Sequence, residues 1–224
     1  MDRRTFQIGL LAGISPIAHA RRKPPPAPID AVARIKALRI TTGPMADGYQ
    51  IAPGGRLNWY FTNLGLIAIV QFLNAEELDL YIRRYLDLYL RQLQANATIE
   101  DVLFNDATLQ SITLVPSDSD NSYASTLLSL AVRYLRASGN WSWWDANQNT
   151  LKTIALSNVV NQIKSNGLTR VFQPPRTSDT SEFGFTMNNC EDWRALRDFS
   201  ALLDQRGQTQ EAQAYLDKAH QIGQ

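Results

Sequence analysis

The sequence predicts an all-α protein built from helical hairpins, and three observations carry that expectation. Apolar residues recur at helical spacing throughout, with no alternating strand run. Nearly all-apolar helices alternate with amphipathic ones. The apolar helices begin near positions 58, 121 and 189, at intervals of 63 and 68 residues, a regularity that marks a repeat architecture.

In chain order, a short helix is expected from Ile29 to Ile40, followed by the loop GPMADGYQIAPGG. The first inner helix runs from Asn58 to Leu73. It is apolar on nearly every side, but at about fifteen residues with Asn63 and Gln71 inside it is a buried core helix, too short for a bilayer. Ala75 to Gln94 is its amphipathic partner, with Leu78, Tyr81, Ile82, Tyr85, Leu86, Tyr89 and Leu93 on one stripe. Asn121–Ala137 with Gln148–Ser165, and Asn189–Arg206 with Thr209–Ile222, form the second and third pairs. Links from inner to outer helix are short and those from outer to inner are long. All the long loops, and the N-termini of the inner helices, therefore gather at one end.

Residues 1–20 read as a secretory signal. Arg3 and Arg4 in MDRRTF precede an apolar run from Ile8 to Ala18 and an Ala18-His19-Ala20 cleavage site. The arginine pair points to twin-arginine export, with a Sec signal as the alternative. A Pro-rich linker, residues 21–28, leads into a domain over 29–224. The expected destination is the periplasm or the medium.

Composition removes several functions. The chain holds 22 basic and 21 acidic residues with no basic stripe or basic amphipathic helix, so neither nucleic acid nor, after signal cleavage, a membrane surface is an expected partner. Cys190 is the only cysteine, and is expected as a small core residue at a helix start, with a reactive thiolate as the alternative. His19 and His220 are the only histidines. A Ser-His-Asp triad, a Cys-His dyad and a multi-histidine zinc site therefore lack parts, and no metal or cofactor is expected. Carboxylates, tyrosines or arginines are left to carry any chemistry.

At its second and third inner helices, in the segments PSDSDNSYASTLLSLAVRYLRASGNW and GFTMNNCEDWRALRDFSALLDQRGQTQEAQAYLDKA, the chain resembles the six-hairpin glycosidase-like superfamily. The similarity lies in a D-S-x-x-S-Y-A opening and an M-x-N-C-E opening, and it extends over roughly residues 29–224. It implies an incomplete (α/α) toroid with about 7 of 12 helices, acting on a carbohydrate. The missing helices leave three accounts open: a truncated or split product, completion by self-association, or an open arc.

Three clusters mark the long-loop end: Arg56, Asn58, Trp59 and Tyr60; Asp118, Asp120, Asn121 and Tyr123; and Asn188, Asn189, Glu191, Asp192 and Trp193. Each mixes an amide or carboxylate with an aromatic ring, which suits sugars. Glycoside hydrolysis needs two carboxylates roughly 5 to 10 Å apart. Asp118 or Asp120 with Glu191 is the candidate pair, Glu191 being the acid. Arg56, Asn58, Trp59, Tyr60, Tyr123, Asn188, Asn189, Asp192 and Trp193 are the candidate binding residues. The competing account is local: Asp, Asn and Ser cap helices, and acids favour the first turn. Trp141, Trp143 and Trp144 resemble a stacking platform but fall at the opposite end, and are expected to pack between hairpins or to form a partner surface.

Two rivals to a hydrolase remain. One is a polysaccharide lyase, against which the scarcity of histidine counts. The other is a non-catalytic repeat module binding glycan or protein, since TQEAQAYLDKAHQI resembles the second helix of a tetratricopeptide unit. An inactive remnant is a third account.

Overall fold

The computed structural model describes residues 30–174, 176 and 184–222. The expected signal (1–20) and linker (21–28) lie outside the described residues. Among those residues the fold is mostly helical, with one two-stranded sheet. Helix α1 spans Ala31–Ala37 and α2 spans Trp59–Ile69, extended by a 3-10 turn. Helix α3, Ala75–Glu77, passes through a π segment, Leu78–Arg83, into α4, Arg84–Arg91. Strands β1 (Glu100–Phe104) and β2 (Ile112–Pro116) form an antiparallel hairpin, with Val102 opposite Leu114. Then follow α5 (Asp120–Ser138), α6 (Trp141–Asn158), α7 (Thr186–Gln205) and α8 (Thr209–Ile222).

Helix α5 sits at the centre, packing against α2, α6 and α7. Its small residues Ala124, Ser125, Ser129 and Ala131 are all buried and let the neighbouring helices approach closely. Short links join α2 to α3, α5 to α6 and α7 to α8. Gly139 ends α5 at φ 66°, a left-handed cap conformation that costs glycine least, and Asn140 at once caps α6 by accepting from the Trp143 N–H.

Three sequence expectations change. The loop between residues 95 and 120 contains the β-hairpin, which a helix-only reading missed. Its period-2 signal is short, and its outer strand is largely exposed rather than half-buried. Helix α6 begins at Trp141, not Gln148, because Asn140 supplies the cap. Cys190 is exposed, not core: α7 starts at Thr186 instead of Asn189, and its buried positions 188, 189, 192, 195, 196 and 199 leave Cys190 on the opposite face.

The tryptophans of α6 are packing residues. Trp144 is fully buried with its ring edge-on to Phe199 at 5.9 Å, and Trp143 packs edge-on against Tyr134 while its indole N–H donates to Asp87 at 2.7 Å. The Trp144→Ala variant should therefore lose about 3–5 kcal/mol in urea unfolding, whereas Trp141→Ala, which removes an Arg206–Trp141 cation–π contact, should lose about 1 kcal/mol or less.

Candidate functional site

The site is built from the N-termini of α2, α5 and α7, and two buried carboxylates fix their relative positions. Asn58 caps α2, its side-chain oxygen accepting from the Phe61 N–H at 2.9 Å. The other end of the same amide donates to Asp101 Oδ2 on β1 at 2.6 Å and to the Tyr123 hydroxyl on α5 at 2.7 Å. Tyr123 in turn donates to Asp101 Oδ2 at 3.0 Å. Asp101, absent from the sequence-derived clusters, thus joins α2, α5 and the hairpin. Two backbone hydrogen bonds of 3.0 Å between Leu57 and Val102 complete that junction.

The second junction centres on Asp192 of α7, which is wholly buried. It accepts from Asn121 Nδ2 at 2.8 Å, from Thr169 Oγ1 at 2.5 Å and from the Ser125 hydroxyl. Thr169 lies in the loop before α7, and its backbone N–H donates to Asn189 Oδ1 at 3.0 Å. Asp120 performs a third, similar task. It is buried, accepts from the Gln173 N–H at 2.9 Å, and forms an ion pair of 2.7 Å with Arg176, whose guanidinium also lies 4.2 Å from the Phe172 ring centroid. Asp120 is therefore an anchor for the 171–176 loop and does not face the cleft. The cap of α5 is Ser119, not Asp120 or Asn121.

Between these junctions lies an open cleft of about 500 Å³ lined by Tyr60, Phe61, Asp118, Ser119, Ser122, Tyr123, Val171 and Phe185–Asn188. Four of the expected residues, Tyr60, Asp118, Tyr123 and Asn188, meet on its walls. Tyr60 stacks on Tyr123 with centroids 6.0 Å apart, and Phe61 stands edge-on to Tyr60 at 5.2 Å. Glu191 lies behind Tyr60, whose hydroxyl donates to its Oε1 at 2.8 Å. Glu191 Oε2 and Ser122 Oγ are both buried. Ser122 is near enough to favour the ionised carboxylate, yet neither atom reaches hydrogen-bonding geometry with any partner.

The remaining expected residues stand elsewhere. Trp59 is buried, its indole N–H donating to the Glu100 carbonyl at 2.7 Å. Asn58, Asn189 and Asp192 are structural, as described. Arg56 is half-buried and acts on Asp101 through its charge, and Trp193 lies under the Arg197 guanidinium, 4.6 Å from its ring centroid. Phe61, Ser122, Phe185 and Met187 are lining residues that the sequence reading omitted. Phe185 and Met187 flank the Thr186 start of α7, a boundary the sequence placed three residues late.

Burial raises the pKa of Asp101, Asp120, Glu191 and Asp192 alike, against the hydrogen bonds that favour each ionised form. Asp192 is pushed up from 3.8 to about 6. Among the described residues no cluster of His, Cys, Asp and Glu is placed to hold a metal ion, and no helix is long and apolar enough to cross a membrane. No protein-family model matches the chain, nor does any curated protein.

Two outcomes follow from the buried carboxylates. Because each binds its proton more tightly folded than unfolded, the native state gains stability as pH falls. Asp192's share arrives between about 6 and its ordinary value of 3.8. Glu77, Asp79 and Asp106, held below their ordinary values by hydrogen bonds, act in the opposite direction only at lower pH. Thermal melts should therefore give a higher Tm at about pH 5 than at about pH 7.5; a fall over that range would contradict the raised values. Second, Asp192→Ala strands the donors of Asn121, Ser125 and Thr169, and should cost about 3 kcal/mol or more in denaturant unfolding.

Proposed function

We propose that this protein is a glycoside hydrolase-like protein that binds an oligo- or polysaccharide in the cleft at the inner-helix N-termini. The observation that carries the reading is the combination on one surface of stacked aromatic rings and an exposed carboxylate at Asp118, in an open cleft of about 500 Å³. Rings stack on the apolar faces of pyranoses, and hydroxyl and carboxylate groups bind their hydroxyls.

The hairpin order supports an incomplete (α/α) toroid as the architecture: α2, α5 and α7 are the inner helices, and the long loops gather at their N-terminal ends. The paired arginines, apolar run and Ala-x-Ala site of residues 1–20 support export by the twin-arginine route to the periplasm or the medium.

With Asp120 and Asp192 committed to structure, Asp118 and Glu191 are the pair for acid–base hydrolysis. Glu191, whose proton is held more tightly by burial, is the acid, and Asp118 in solvent is the base or nucleophile. The same commitment of two carboxylates to structure favours, as the second reading, a binding module without turnover.

The test is a panel of oligosaccharides followed by calorimetry and by product analysis. Binding that weakens roughly tenfold or more in Tyr60→Ala supports the cleft; binding unchanged by that substitution would place the sugar elsewhere. If turnover is found, Glu191→Gln should abolish it. Tyr60→Phe removes a hydrogen bond to the ionised Glu191, raises its pKa further, and should move the alkaline limb of the pH–rate profile to higher pH. Binding without turnover in the wild-type protein would favour the module.

A further inference from the structure

The cleft's charge says which class of sugar it suits. Tyrosines aside, Asp118 is the only ionisable side chain lining it, and no Lys, Arg or His does so among the described residues. Asp118 is exposed and takes part in no ion pair among the described residues. It is close enough to Tyr60 and Tyr123 to raise the pKa of both hydroxyls. Arg176, on the loop that carries Val171, is committed to Asp120 and to the face of Phe172.

An acidic sugar entering this cleft meets a carboxylate and no compensating cation, which like-charge repulsion penalises. A neutral sugar leaves Asp118 with hydrogen bonds alone. A protonated amine uses the whole arrangement. It pairs with Asp118, and aromatic faces such as those of Tyr60 and Phe61 attract a cation through their negative quadrupole. Ser122 lines the same wall, with its hydroxyl buried beside Glu191.

We propose that the glycan bound here carries protonated amines, so that the cleft takes an amino sugar with its ammonium on Asp118 and its ring against the Tyr60–Phe61 wall. This rests on the carbohydrate reading of the same cleft. A glucosamine oligomer, its N-acetylated counterpart of equal length, a neutral glucose oligomer and an oligouronate separate the two ideas.

At mildly acidic pH, isothermal titration of the full chain should show the glucosamine oligomer binding roughly tenfold or more tighter than the acetylated and neutral oligomers, and the oligouronate weakest. The preference should shrink as pH rises and the amines lose their protons. Asp118→Asn should erase most of the difference, with circular dichroism confirming an unchanged fold. Phe61→Ala, at a half-exposed ring, should weaken the glucosamine oligomer more than the neutral one. Equal or tighter binding of the acetylated, neutral or acidic oligomer overturns the amino-sugar assignment and leaves the sugar cleft standing. Failure of all four to bind overturns both.

Discussion

The arrangement depends on placing negative carboxylates inside a helical core and surrounding each with donors. Asp192 is the extreme case: wholly buried, and accepting from three side chains on α5 and the loop before α7. A buried charge of this kind is unfavourable alone and tolerable only when its lone pairs are filled. Its geometry therefore dictates where α5, α7 and Thr169 stand. Asp101 does the same for α2, α5 and the hairpin. Because both junctions lie toward the N-terminal ends of α2, α5 and α7, the end of the bundle that they hold together is also the end that forms the cleft.

That arrangement separates supporting carboxylates from those left for a ligand. Asp101, Asp120 and Asp192 each accept from several donors or a guanidinium and hold neighbouring elements together. Asp118 faces solvent, and Glu191 holds one oxygen on Tyr60 with the other buried beside Ser122. The chemistry proposed for the cleft follows from this division more than from the number of acids in the sequence.

Much of the fold was legible because helical periodicity is a local signal. The hairpin pairs, the short inner-to-outer links and the clustering of long loops at one end could all be read from the apolar pattern. The polar-aromatic clusters led to Tyr60, Asp118, Tyr123 and Asn188 on one wall. What escaped was set by contacts distant in sequence. Asp101 looks like an ordinary strand or loop acid until Asn58, 43 residues earlier, and Tyr123, 22 residues later, reach it. Asp120 reads as a cap until Arg176 arrives 56 residues on. The β-hairpin was missed because its exposed outer strand lacks a buried face, and Cys190 was misplaced because its small size suits a core, whereas the buried stripe of α7 runs through 188, 189, 192, 195, 196 and 199 and passes it by.

The central claim is that a glycan occupies the cleft formed by the N-termini of α2, α5 and α7. Hydrogen–deuterium exchange with and without a bound oligosaccharide tests it most directly. The account predicts slowed exchange in the first turns of α2, α5 and α7, around Tyr60, Ser122 and Asn188, with no change at the opposite end of the bundle. Protection confined to the Trp141–Trp144 turn, or spread evenly over the helices, would contradict it.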